Sequence, residues 1–369
     1  AAADRVSSLS LSLSLSLCRP PTLSLQAHPS RMRALSPSAH FLLRRAVDSK
    51  YILTASADGR SLMFEVETGQ MVFNVLHSGP VHAVGFADGD GFFFTANKPL
   101  SARTGKLTLS LYEMPSVAGF TGTPPSLKAE AAAYLQYEMH SLSRAGHFLP
   151  HNEAILMGHD DGKLIKYTAV GGGVVTRASE LQAEEIFSGA GDVAAHSAVI
   201  NDIRFIEDRT LFVTASNDCT ARLWSTVDLQ MLKTYRVSTP VNGAVIHPKF
   251  EHLILGGGQD AMSVTTTDAR EGGFEARFFN MVYETEFGRV AGHFGPINSL
   301  AMAPDGLSYA SGAEDGTTRF HKFTADYLSR QERDDSNLAE SIALVDSLPA
   351  DDDELVDAEL DASRAATKA

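Results

Sequence analysis

His196, Ser216 and Asp218 are the residue types of an acyl-transfer triad. In that chemistry the serine hydroxyl gives its proton to the imidazole, and the carboxylate holds the ring in place. The rest of the sequence argues for a different use. His293 precedes Asp315 by 22 residues, as His196 precedes Asp218. Asp58, Asp161, Asp218, Asp260 and Asp315 are each followed six positions on, by Phe64, Tyr167, Trp224, Thr266 and His321. A catalytic site occurs once, whereas a register that returns along the chain is architecture. The chemistry these residues share is then hydrogen bonding inside a repeated unit. A buried His ahead of one strand would bond an Asp in a tight turn. A Ser or Thr on the second strand and an indole on the third would complete the chain, because buried polar groups need partners. His196, Ser216, Asp218 and Trp224 form the fullest set. His293 and Asp315, and Asp58, Asp161 and Asp260, are their counterparts.

The elements that must position these residues are short strands. An apolar residue followed by others at +3 and +5 recurs as Val81/Val84/Phe86, Ile200/Ile203/Phe205, Val241/Ala244/Ile246 and Ile297/Leu300/Met302. A turn follows, then a strand ending in small residues, as in Phe212-Val213-Thr214-Ala215-Ser216, then the Asp turn and a third strand. Self-similar units of this kind are the mark of a WD-repeat β-propeller, an all-β fold of four-stranded blades. Units start near residues 46, 77, 139, 196, 240 and 293. The first is expected to begin in its middle, at about Tyr51. The propeller is expected over 46–325, with Asp turns between the second and third strands.

Other candidate chemistry fails on spacing. His147 and His151 are four apart, but Pro150 forbids the helix that would align them. Asp88-Gly89-Asp90-Gly91 starts like a calcium loop without the remaining ligands, so a hairpin turn is expected. Gly256-Gly257-Gly258 lacks the Lys-Ser/Thr of a phosphate loop. No catalytic, metal or cofactor site is expected. The chain of 369 residues has two cysteines, too few for a disulfide framework, which fits a reducing compartment such as the cytosol. It has no apolar run long enough to cross a bilayer as a helix. With a net charge of −14, it is a poor direct reader of nucleic acid.

The two ends differ from the middle. Residues 1–45 are Ser-, Leu-, Pro- and Arg-rich, with strict Ser/Leu alternation from Ser8 to Leu17. This stretch reads as a transit peptide or as an irregular leader on a fragmentary gene model; the second is preferred, although the alternation could also pass for a strand. Residues 326–369 form an acidic tail containing Asp351-Asp352-Asp353-Glu354, expected to be a solvated run.

Residues 196–323 carry a more specific signature. It includes Asn201-Asp202-Ile203, Leu255-Gly256-Gly257-Gly258-Gln259-Asp260, Phe274-Glu275-Ala276-Arg277-Phe278, Glu286-Phe287-Gly288-Arg289-Val290 and Gly292-His293-Phe294-Gly295-Pro296-Ile297-Asn298. This closely resembles the subunit I family of eukaryotic translation initiation factor 3, also labelled serine/threonine kinase receptor-associated protein. Weaker similarity reaches back to about residue 46. The resemblance implies a seven-bladed propeller acting as a non-catalytic cytoplasmic scaffold. The partners it implies are subunits B and G of the same factor, the former docking through its C-terminal helix. The 40S ribosomal particle and mRNA are served indirectly. The family's first blade and the opening of its second are missing here, so the first blade is expected to be absent or incomplete. A signalling adaptor bound to a kinase receptor is the alternative.

Part of the partner surface is expected within 255–298. The residues concerned are Gly256, Gly257, Gly258, Gln259, Phe274, Glu275, Arg277, Phe278 and Arg289. Val264–Thr267 read as the third strand there, with Thr266 where a sibling unit has Trp224. Strand alternation would put Phe274, Ala276 and Phe278 on one face and Glu275 and Arg277 on the other.

Overall fold

A computed structural model describes residues 40–45, 50–89, 91–100, 105–114, 133–175, 180–188, 193–259, 273–325 and 327–328. The chain divides at His321 into two units.

The first unit is a series of antiparallel sheets, each built from consecutive strands. The first sheet holds β1 (His40–Arg45), β2 (Tyr51–Ser56), β3 (Arg60–Glu65) and β4 (Met71–Leu76). The second holds β5 (Val81–Phe86), β6 (Phe92–Asn97), β7 (Thr108–Glu113) and β8 (Leu135–Glu138). The third holds β9 (Ser143–Phe148), β10 (Ala154–His159), β11 (Leu164–Ala169) and β12 (Leu181–Ile186). The fourth holds β13 (Ile200–Phe205), β14 (Leu211–Ser216), β15 (Thr220–Ser225) and β16 (Met231–Arg236). The fifth holds β17 (Val241–Ile246), β18 (His252–Gly257), β19 (Glu275–Asn280) and β20 (Glu286–Ala291). The sixth has three strands among the described residues: β21 (Ile297–Met302), β22 (Ser308–Ala313) and β23 (Thr318–Lys322).

The first strands of successive sheets lie side by side, β1 by β5, β5 by β9, and so on to β21. This is the blade succession of a β-propeller. The apolar cores lie between blades. Leu53, Met63, Val84 and Phe93 pack the first sheet on the second, and Leu156, Ile203, Phe212 and Trp224 the third on the fourth. Val213, Leu223, Ala244 and Leu253 pack the fourth on the fifth. A strand in the middle of a blade is therefore covered on both faces, and its apolar run reflects that.

Two expectations change. The first sheet does not begin at Tyr51: His40–Arg45, on the leader side of the expected boundary, supply its innermost strand. The third strand of the fifth sheet is β19, not Val264–Thr267, which lie outside the described residues together with Asp260. Phe279 faces Leu253 across the pair as Trp224 faces Phe212, so Phe279 holds the aromatic position assigned above to Thr266. A long insertion between the second and third strands broke the six-residue spacing.

Each inner strand carries a bulge at its second residue. The register slips at Phe41, His82, Arg144, Asn201, Asn242 and Asn298 in turn. A bulged residue has no ladder partner, and a bulge re-aims the side chain it carries. In the turn between β5 and β6, Asp88 accepts the His151 backbone N–H at 3.0 Å and pairs with Arg209. Asp88 and Gly89 lie in the turn of the β5–β6 hairpin, and Asp90 lies outside the described residues. In the described part of the second unit, the Phe323 and Tyr327 rings stack with centroids 4.3 Å apart.

Candidate functional site

The fourth sheet builds the His–Asp network. His196 precedes β13 and is buried, and Asp218 lies in the turn between β14 and β15. His196 Nδ1–H donates to Asp218 Oδ2 at 2.9 Å. On the other side of the ring, Nε2 accepts from the Thr214 hydroxyl at 2.7 Å. Thr214 Oγ1 in turn accepts the Trp224 indole N–H at 3.0 Å. The chain Asp218–His196–Thr214–Trp224 uses each group in the role its chemistry allows and leaves the imidazole neutral.

Thr214, not Ser216, is therefore the strand residue of this network. Ser216 Oγ donates to the Ala198 carbonyl at 3.1 Å and accepts the Asp218 N–H at 3.2 Å. It closes the turn and does not reach His196. Alternation along β14 places 214 and 216 on the same face one pleat apart, and the inner residue meets the ring. The nucleophilic arrangement that the residue types allowed is thus not assembled.

The sixth sheet repeats the design. His293 Nδ1–H donates to Asp315 Oδ2 at 3.1 Å, and Nε2 accepts from Ser311 at 2.7 Å. Ser311 Oγ accepts from His321 Nε2 at 3.3 Å, so His321 replaces the indole. Thr220 and Thr317 each donate to the turn Asp, at 2.6 and 2.7 Å. Burial by itself pushes both carboxyls up. At Asp218 the bonds from His196 and Thr220 outweigh it, and at Asp315 those from Phe294 N–H and Thr317 do, so both groups sit well below the usual carboxylate range. Burial lowers the His196 pKa against the pull of Asp218, in keeping with a neutral ring.

Thr214, Ser311, Thr220 and Thr317 are the members sequence reasoning missed. Their signal was present: a hydroxyl four residues before the Asp and another two after it in both units. The third sheet departs from the scheme. Met139 occupies the place of His196, and His159, on β10, shares a hydrogen bond with Tyr167 OH at 3.3 Å instead. Asp161 only caps its turn, accepting from the Lys163 N–H at 3.2 Å. Asp58 accepts from the Arg60 N–H at 3.0 Å.

The residues expected at the partner surface are divided by their burial. A Cβ on Gly256 would stand 2.8 Å from Ile297 Cγ2, and one on Gly257 2.0 Å from the Pro240 carbonyl oxygen. Gly258 has φ +139° and lies against Phe274. These glycines serve blade packing. Gln259 and Phe274 are half-buried. Phe278 is buried against Phe287 and Tyr309. Arg277 alternates as expected, yet it is only 8% exposed and donates to Ser238 Oγ at 3.0 Å. Both faces of β19 are covered over Ala276–Phe279, so Arg277 is not open to a partner. Glu275 and Arg289 remain accessible, 3.8 Å apart, and Arg289 also binds Glu286.

Among the described residues no three His, Cys, Asp or Glu side chains converge as metal ligands, and no helix is long and apolar enough to cross a membrane. A family model described as EIF3I matches residues 38–332. The chain is 38% identical over 282 residues to proteins named eukaryotic translation initiation factor 3 subunit I from Rattus norvegicus and Homo sapiens. The match covers 76% of this chain and 79% of each relative.

Proposed function

The chain belongs to the subunit I family of eukaryotic translation initiation factor 3, and from that membership we propose that it acts as a scaffold that supports preinitiation-complex assembly and mRNA recruitment. The family is a structural component of the factor and not an enzyme. The observation that carries the scaffold reading is the internal use of the reactive residue types. His196, Asp218, His293 and Asp315 are committed to blade networks. Beside polar residues the fold leaves large apolar side chains outward, Val227, Tyr283, Phe294 and Phe320 among them, a mixture suited to protein contacts.

Within the factor, subunits B and G are the proposed direct partners, with the 40S ribosomal particle and mRNA reached through them, in the cytoplasm. Glu275 and Arg289, accessible on the fifth sheet, are proposed to orient one of these partners, since rim charges steer more than they bind. The test is affinity purification of the tagged chain from its own cells, followed by pull-downs with each of the two proposed partners in isolation. Recovery of initiation-factor components and direct capture of at least one of the two are expected. Recovery of a kinase receptor without those components would replace this reading with the signalling-adaptor one.

A further inference from the structure

Five of the bulges each present one side chain from the same end of adjacent inner strands. They carry His82, Arg144, Asn201, Asn242 and Asn298, on β5, β9, β13, β17 and β21. These residues are not core: Arg144 and Asn298 are exposed, and the other three are half-buried. Three are linked by their amides. Asn201 Nδ2 donates to Asn242 Oδ1 at 3.3 Å and to the Val241 carbonyl at 3.0 Å. Asn242 Nδ2 donates to Asn298 Oδ1 at 3.2 Å. This amide series runs in one direction and ends with the NH2 group of the exposed Asn298 as a donor.

The other side of the mouth is cationic. Arg144 stands beside His82, and Lys98 adds a second positive charge to the same place. Among the described residues neither Arg144 nor Lys98 has an ion-pair partner. The nearby acid of the next inner strand, Asp202, is engaged by Arg204 at 2.8 Å. Burial, then the charges of Arg144 and Lys98, holds the His82 pKa down to about 4. That ring is therefore neutral at physiological pH, and the positive field around it comes from Arg144 and Lys98.

We propose that this mouth, formed by His82, Lys98, Arg144, Asn201, Asn242 and Asn298, binds an acidic peptide segment of a partner protein. Carboxylates of the segment meet Arg144 and Lys98, and the Asn298 amide takes a carboxylate or backbone carbonyl oxygen. Arg144 offers a planar fork that matches a carboxylate. The class of ligand follows from the excess of donors. An extended chain fits because the free donors are spread from Lys98 after β6 and Arg144 on β9 to Asn298 on β21 and are not gathered in one cup. Nucleic acid is disfavoured by the −14 charge of the chain, which a long phosphate backbone meets over its whole length and a short segment meets only locally. The site is independent of the initiation-factor reading and concerns residues that the blade networks do not use.

The test uses the full chain and fluorescence anisotropy with three labelled probes: a decapeptide of alternating Asp and Gly, the same peptide with Asn for Asp, and a uridylate decamer. The acidic peptide is expected to bind, with affinity falling as salt rises. Arg144→Glu is expected to weaken it by about tenfold and Asn298→Asp by roughly threefold, whereas Arg144→Lys retains most of it. Unchanged Trp224 fluorescence in each variant shows that the blades are intact; if Arg144→Glu disturbs it, Arg144→Gln takes its place. Equal binding of the Asn peptide, no effect at Arg144, no binding of the acidic peptide at millimolar concentration, or preference for the uridylate would overturn the proposal.

Discussion

Replacing Thr214 by Val tests whether the blade network runs as the geometry states. The two side chains have nearly the same shape, so the change removes one hydroxyl and leaves the packing. That hydroxyl serves two buried groups at once, His196 Nε2 at 2.7 Å and the Trp224 indole N–H at 3.0 Å. Thr214, His196 and Trp224 are all at most 2% exposed, so water does not replace it. An orphaned buried polar group costs about 1–3 kcal/mol, and two are orphaned here. The added methyl recovers roughly 1 kcal/mol of burial. A net loss of about 1–5 kcal/mol, centred near 3, follows.

Ser216→Ala is the contrast. Its hydroxyl bonds only the Ala198 carbonyl and the Asp218 N–H, at the edge of a turn. The expected loss is about 1 kcal/mol. The assay is thermal and urea unfolding followed by the fluorescence of Trp224, the one tryptophan in the chain, which also reports on its own neighbourhood. At roughly 2–4 °C per kcal/mol for a fold of this order, the central loss lowers the Thr214→Val midpoint by about 6–12 °C. A wild-type midpoint for Thr214→Val, or a larger loss for Ser216→Ala, would refute the assignment and restore Ser216 to the centre of the network.

Gly257→Ala places a Cβ 2.0 Å from the Pro240 carbonyl oxygen and should destabilise by about 1–3 kcal/mol or more, whereas Gly288→Ala, whose nearest neighbour is 3.9 Å away, should be near neutral; differential scanning calorimetry of the pair decides it. His247 Nδ1 accepts the Lys249 and Phe250 N–H groups, and burial, with the charges of His252 and Lys249 and against the pull of the Gly306 carbonyl, holds its pKa down to about 4. Its folded value lies below the unfolded 6.5, so its contribution is complete above about pH 6.5 and is lost as pH falls toward 4, up to about 3 kcal/mol; a pH series of melting midpoints should show this slope, and His247→Gln should lack it. Arg277→Glu should fail through folding, because it buries a carboxylate against Ser238, while Arg289→Glu should keep the wild-type midpoint; circular dichroism melts separate the two.

How far the sequence could be read depended on whether a feature repeats at constant spacing. His196 with Asp218 and His293 with Asp315 stand at one interval because the loop, two strands and turn between them have the same length in both blades. Their pairing was therefore visible. The identity of the bridging hydroxyl was not, because Thr214 and Ser216 both face the right way and only the depth of the pleat distinguishes them. Asp260 and Thr266 kept the six-residue interval while an insertion moved the true third strand to β19, so Phe279 was overlooked. The first strand was missed because His40–Arg45 lies beside a low-complexity stretch whose composition masked it. Arg277 was placed on the partner surface because alternation specifies two faces but not what covers them.

Two kinds of polar residue emerge from this architecture, and they have opposite consequences for function. The first sits where a blade buries it, as His196 ahead of β13 and Thr214 on β14 are buried. There a His or Asp must be satisfied internally, and once satisfied it has no lone pair or proton left for a substrate. His196, with Asp218 on one nitrogen and Thr214 on the other, is in that state. The second sits on the bulge of an inner strand, where the ladder leaves a residue unpaired and the side chain turns out of the sheet. The bulge is constant from blade to blade, but its residue is not: Phe41, His82, Arg144 and then three asparagines. Blade geometry thus requires a bulge without dictating its side chain, which leaves these positions open to be set by what the protein contacts. Substitutions at the turn positions should act through stability and, on the proposed reading of the mouth, those at the bulges through binding.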